Sequence, residues 1–70
     1  MAKIINFVLN GESYYTTQDF KIFDLIKYFN YNDSLLVLER NNLICNKKEW
    51  KKMIIQNYDR IEIVTIVGGG

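Results

Sequence analysis

Three glycines, Gly68-Gly69-Gly70, close the sequence. Glycine loses more conformational entropy on ordering than any other residue and has no side chain to pack, so a run of it is a poor structural choice. A tail does not need glycine merely to be flexible. Glycine does supply a backbone without Cβ atoms, able to thread a narrow channel in a partner. Leaving directly from a strand, such a tail reaches roughly 10 Å past Val67. A terminal carboxylate presented in this way can enter a distant active site while the domain stays outside. The carboxylate becomes a useful electrophile only when activated: adenylation with ATP gives an acyl adenylate with AMP as leaving group. A sulfur donor then gives a thiocarboxylate, whereas an amine gives an isopeptide. Either route asks only for an unhindered acceptor, Gly70, with Gly68 and Gly69 keeping its approach clear. Every catalytic group can sit on the partner. The competing reading of the tail is a frayed end or a cloning scar without function.

The remaining residue types narrow the chemistry. Histidine is absent and cysteine occurs once, as Cys45. The usual general base, the usual zinc ligand and any Ser-His or Cys-His dyad are therefore missing. The acidic residues show no metal-loop spacing. No catalytic residue, bound cofactor or metal is expected on this chain. One thiol cannot form an internal disulfide, which excludes a disulfide-stapled secreted fold. Cys45 reads as a small buried apolar side chain; the alternative, a redox or sulfur-transfer thiol, requires exposure and a lowered pKa. Lys47, Lys48, Lys51 and Lys52 surround Glu49 and Trp50. They read as a solvated face or as a docking patch for an acidic partner. Trp50 itself reads as a core anchor ahead of a partner hot spot, and the tyrosines as amphipathic surface aromatics.

At 70 residues, with 49% hydrophobic and 24% charged residues and a net charge of +1, the chain fits one small globular domain. It is too apolar for disorder and lacks the basic stripe of a nucleic-acid binder. No signal peptide is expected at Met1-Ala2-Lys3, and no run approaches the ~20 apolar residues of a membrane span. The expectation is a reducing, soluble compartment, with no nucleic-acid or membrane partner and a monomeric free chain.

The elements that must carry the tail are legible in the pattern. Lys3 to Leu9 is a β-rich run. Asn10-Gly11 is a strong hairpin signal, and Glu12 to Thr16 is the returning strand. Ile22, Leu25, Ile26 and Phe29 share one face of a helix. Asp19 is its expected N-cap, Lys27 suits its C-terminal end, and Asn30 and Asn32 mark its stop. Leu35 to Arg40 is a third strand, Asn41-Asn42 a turn, and Leu43 to Cys45 a short fourth strand. Asn46 and Glu49 have capping-box spacing for a brief helical turn bearing Trp50. Asn57-Tyr58-Asp59 is the last turn before a strand from Arg60 to Val67. A single amphipathic helix must bury its stripe against one sheet face. The expectation is an α+β domain over residues 1–67, a mixed sheet with one main helix packed across it, compatible with the β-grasp (ubiquitin-like) fold. Residues 68–70 form its tail. In the last strand Ile61, Ile63, Thr65 and Val67 share one face and Glu62, Val64 and Ile66 the other. With Ile61 and Ile63 inward, Val64 and Ile66 become an outward partner surface beside the tail.

Several pieces of the second half have a further meaning together: Glu39-Arg40-Asn41, the stretch from Ile44 to Trp50, Asp59-Arg60-Ile61-Glu62-Ile63-Val64, and the glycine tail. The segment from Leu36 to Gly70 resembles the bacterial and plastid ThiS family of sulfur carriers; the first half agrees in layout. The resemblance implies a β-grasp carrier in the synthesis of the thiazole ring of thiamine. Gly70 would be adenylated by a ThiF-like enzyme that consumes ATP. A sulfur donor protein would convert it to a thiocarboxylate, and sulfur would pass to the ring on a ThiG-like thiazole synthase. The compartment implied is bacterial cytoplasm or plastid stroma. A MoaD-like carrier for molybdopterin synthesis, a ubiquitin-like modifier and a plain interaction module are the alternatives. Many family members have glycine in the turn before the last strand; here Asn57 or Asp59 is expected to take the strained position.

Overall fold

The computed structural model describes residues 3–31 and 35–65. β1 (Ile5–Leu9) and β2 (Glu12–Thr16) form the first hairpin. Asn10 and Gly11 between them have φ of 50° and 84°, the two positive values that a type I′ turn requires and that match the twist of the strands it joins. β3 (Leu36–Arg40) and β4 (Leu43–Ile44) make a second hairpin, with Asn41 and Asn42 at 54° and 71°. Asparagine tolerates this region better than other side chains, so both turns follow directly from the sequence.

The helix, α1, spans Ile22–Tyr28 and buries Ile22, Leu25 and Ile26. Its start corrects the expected N-cap. Lys21 occupies that position, and its backbone N–H donates to Asp24 Oδ2 at 3.0 Å. Asp19 instead pairs with Lys3 on the surface at 3.0 Å. The first helical N–H groups, which have no partner within a helix, are met by tertiary acceptors. Ile22 donates to the carbonyl of Met53 at 2.9 Å and Phe23 to that of Trp50 at 3.1 Å. A side-chain cap is therefore unnecessary. Lys27 lies in the last turn, and Asn30, with φ 57°, stops the helix as expected; Asn32 lies outside the described residues.

A 3-10 helix, Lys47–Glu49, follows β4, capped by Asn46, whose side chain accepts from the Lys48 N–H at 3.0 Å. β5 (Asp59–Thr65) completes the chain as described. The turn before it differs from expectation: Tyr58, not Asn57 or Asp59, has the positive φ, 69°. Asn57 and Asp59 are each held by a bond that fixes them elsewhere. Asn57 Oδ1 accepts from Asn6 N–H at 2.8 Å, and Asp59 is buried at the start of β5.

The strands form one sheet in the order β2-β1-β5-β3-β4. β5 is parallel to β1 and antiparallel to β3, so the last strand lies in the middle. This is the expected α+β architecture, a mixed β-grasp sheet with α1 packed on one face. The core joins Ile22, Leu25 and Ile26 of α1 to Ile5, Phe7, Leu9, Leu38, Ile61 and Ile63 of the sheet, closed by Trp50 and Ile55. In so small a domain each of these matters: truncating a fully buried Leu38 or Ile61 to alanine costs about 2–5 kcal/mol.

Candidate partner-docking site

The segment that would present the tail is β5, and the sheet holds it from both sides. On the β1 side the pairing continues after the strand turns away. Asn10 N–H donates to the carbonyl of Ile61 at 2.9 Å, and Asn10 Oδ1 accepts from Ile63 N–H at 2.8 Å. The turn residue that starts the first hairpin thus also extends the central ladder. On the β3 side pairing runs from Arg40 opposite Ile61 to Leu36 opposite Thr65. The strand is anchored in register up to the last described residue.

Its alternation separates two faces. Ile61 and Ile63 are buried, while Glu62 and Val64 are exposed, Val64 at 56%. The inward and outward sets are those expected for these residues. Ile66, Gly68, Gly69 and Gly70 lie outside the described residues.

The register adds neighbours that alternation in β5 alone does not reveal. Val64 stands opposite Val37 and Glu62 opposite Glu39 on β3; Glu39 in turn stands opposite Ile44 on β4, which is 73% exposed. The outer sheet face therefore carries Val64 and Val37, then a carboxylate pair, then Ile44. Like charges directly opposite each other on a sheet are unfavourable, and neither glutamate forms an ion pair with a described residue. Apolar side chains beside unpaired carboxylates suit a partner surface that is apolar with a cation set into it. The sequence reading did not place Val37, Glu39, Ile44 and Glu62 on one outer face with Val64. The signal was present as alternation in β3, but pairing Glu39 with Glu62 needs the register.

The other candidates prove structural. Asn41, Asp59 and Arg40 form one network: Asn41 Nδ2 donates to Asp59 Oδ1 at 3.0 Å, and Asp59 Oδ2 accepts from Gln56 N–H at 2.8 Å. Arg40 lies 3.6 Å from Asp59 and donates to the carbonyl of Ile54 at 3.2 Å. Trp50 is buried, and its Nε1–H donates to the carbonyl of Cys45 at 3.2 Å, which makes it a core anchor. Cys45 is half-buried against the core. Burial pushes its thiol above the ordinary range, with the Arg40 charge only partly opposing, the reverse of what a reactive thiolate requires. Tyr14 stacks on Phe7 at 5.8 Å and meets Phe29 edge-on at 5.4 Å, whereas Tyr15 and Tyr28 are exposed.

Comparison with known proteins bears on the family and the fold. The model of the ThiS family matches residues 7–70. A protein of Trieres chinensis called "Uncharacterized protein ycf40" is 62% identical over 64 residues, covering 91% of this chain and 88% of its own. Proteins of the same name from Porphyra purpurea and Pyropia yezoensis are 29% and 26% identical, covering 97% and 94% of this chain and 96% and 93% of their own. Among solved structures, the thiamine biosynthesis protein ThiS of Geobacter metallireducens superposes with a TM-score of 0.80 at 16% identity, over 94% of this chain and all of that one. At that identity the likeness speaks for the fold.

Proposed function

The chain belongs to the ThiS family of small sulfur carriers, and we propose that it carries sulfur as a C-terminal thiocarboxylate on Gly70 for the thiazole ring of thiamine. The observation that carries this reading is the fixing of β5. A central strand, bonded to the β1 side as far as Ile63 and to β3 as far as Thr65, leads within a few residues into Gly68-Gly69-Gly70. A rigid body with a side-chain-free end suits delivery of a carboxylate into another protein's active site. Adenylating and synthase enzymes are the partners that the family implies in general; specifically, we assign a ThiF-like enzyme, a sulfur donor protein and a ThiG-like synthase.

The steps balance without any catalytic group on this chain. A carboxylate oxygen of Gly70 attacks the α-phosphate of ATP on the partner and pyrophosphate leaves. Sulfide or a donor persulfide then attacks the acyl carbon, and the acyl–oxygen bond to AMP breaks. With a persulfide, a further two-electron reduction of the acyl disulfide by a thiol releases the thiocarboxylate. Gly68 and Gly69 contribute the absence of Cβ atoms. The outer face around Val64, to which the two-residue alternation of the sequence also assigns Ile66, is the docking surface proposed for the adenylating enzyme. The compartment proposed is bacterial cytoplasm or plastid stroma. Among the described residues no helix is long and apolar enough to cross a membrane.

Intact-mass measurement after incubation with ATP, the adenylating partner and sulfide tests the proposal. A gain of about 16 Da, sulfur for oxygen, that is absent in a chain lacking Gly70 is the expected result. No gain with a partner that adenylates a known carrier overturns it. Covalent conjugates to protein amines that survive a denaturing gel would move the assignment to a modifier.

A further inference from the structure

Phe23 lies on α1 immediately after the buried Ile22 and is itself half-buried. Two ammonium groups are held over its ring, Lys27 Nζ at 5.5 Å from the centroid and Lys51 Nζ at 5.0 Å. Lys27 is one helical turn further along α1, so this contact is local. Lys51 arrives from the segment after the 3-10 helix, brought there by the bonds from Ile22 and Phe23 N–H to the carbonyls of Met53 and Trp50. With Asn46, Lys47, Lys48 and Trp50, the ring and Lys51 line an open concavity of about 710 Å³, within the ~300–1,000 Å³ of sites that hold a compact ligand. Lys27, Lys48 and Lys51 form no ion pair with a described residue. Aromatic contact keeps the ammonium groups in place, but it does not neutralise them, and their mutual repulsion persists until an anion arrives.

We propose that this surface docks an acidic segment of a partner protein, its carboxylates meeting Lys27, Lys48 and Lys51 and an apolar side chain resting on Phe23. The charge of the patch selects an anion, and its aromatic floor selects one with an apolar neighbour. A nucleic acid fits less well: the net charge of the chain is only +1, the patch has no arginine, and Glu49 sits among its lysines. α1 packs on the inner face of the sheet, so this patch lies on the side of the domain away from Val64. The two surfaces can therefore be engaged independently, and the inference stands whether or not the tail carries sulfur.

The test is an NMR titration of the full chain with a short synthetic peptide of glutamate and leucine. Shifts confined to Phe23, Lys27, Lys48 and Lys51, with none at Val64, are expected. Affinity should fall by about tenfold or more in Lys27→Glu/Lys51→Glu, and several-fold between about 50 and 300 mM salt. The control Lys3→Glu/Arg60→Glu, at exposed positions outside the patch, changes net charge equally and should retain binding. If the first variant unfolds by circular dichroism, Lys27→Ala/Lys51→Ala replaces it with the same expected direction. Shifts spread over all lysines, equal loss in the control, or the same shifts produced at lower concentration by inorganic phosphate or a single-stranded oligonucleotide would overturn the proposal.

Discussion

Asn41 and Asp59, 18 residues apart in the chain, are joined by a hydrogen bond of 3.0 Å from the asparagine amide to the buried carboxylate. The same asparagine accepts from Arg60 N–H through Oδ1 at 2.9 Å, and its own N–H donates to the carbonyl of Arg60 at 2.8 Å. One turn residue thus binds the start of the central strand through both backbone and side chain. The pieces Glu39-Arg40-Asn41 and Asp59-Arg60, which look like separate motifs in the sequence, are two halves of one structural device.

Removing that device should be costly. Asn41→Ala leaves Arg60 N–H and Asp59 Oδ1 without this partner and places alanine at φ 54°; a loss of about 1–3 kcal/mol is expected from the buried Asp59 carboxylate left without this donor and from the left-handed backbone of alanine. Asp59→Ala also strips Gln56 N–H of its acceptor and Arg40 of its ion-pair partner and should cost at least as much. Urea unfolding checks both. The double variant should lose less than the sum of the two, because they share one bond.

Tyr58 should be improvable. It has φ 69° and is 78% exposed, so its side chain contributes little while its backbone occupies a region unfavourable to residues with a Cβ. Tyr58→Gly should raise stability by about 0.5 kcal/mol, the relief of strain exceeding the added entropy of the unfolded chain. A higher thermal midpoint at unchanged secondary structure is the expected readout; a lower one would mean that the exposed ring contributes more than it costs.

The docking face should be separable from the fold. Val64→Asp adds charge at an exposed position, leaving the core intact while placing a carboxylate beside Glu62 and Glu39. We expect about tenfold or greater weakening of binding to the adenylating enzyme, roughly 1.4 kcal/mol, with the fold retained by circular dichroism. Calorimetry of the wild type, Val64→Asp and Ile66→Asp reads this directly, and equal affinity in all three removes the face from the proposed site.

Cys45 should be a poor nucleophile. Burial raises its thiol pKa, so iodoacetamide should alkylate it near neutral pH more slowly than it alkylates a cysteine in an unstructured peptide. The sign for stability follows. A group whose pKa is raised by folding favours the folded state below its unfolded pKa, and that contribution is lost as pH rises through the folded pKa. Wild type should therefore lose stability relative to Cys45→Ala on the alkaline side of the ordinary cysteine range, and Cys45→Ala should still accept sulfur on Gly70.

Turns, strand faces and the helix stripe were legible because they are local. Positive φ at Asn10, Gly11, Asn41 and Asn42 reflects backbone preferences written in those residue types. The burial of Ile61 and Ile63 against exposed Glu62 and Val64 follows from two-residue alternation. The glycine tail and the family resemblance, which together suggest what the chain carries, also needed nothing but the order of residues. Where local reasoning failed, a distant partner had decided the outcome. Asp19 lost the helix cap because the carbonyls of Met53 and Trp50 already serve the first helical N–H groups. Tyr58 took the strained position because Asn6 and Asn41 hold the residues on either side of it. Register and assembly decided the rest: Glu39 faces Glu62 only once β3 and β5 are aligned, and Lys51 joins Lys27 over Phe23 only once the segment after the 3-10 helix packs on α1. A sequence sets the conformations that each residue favours, but which charges and surfaces meet is a property of how the elements close on a shared core.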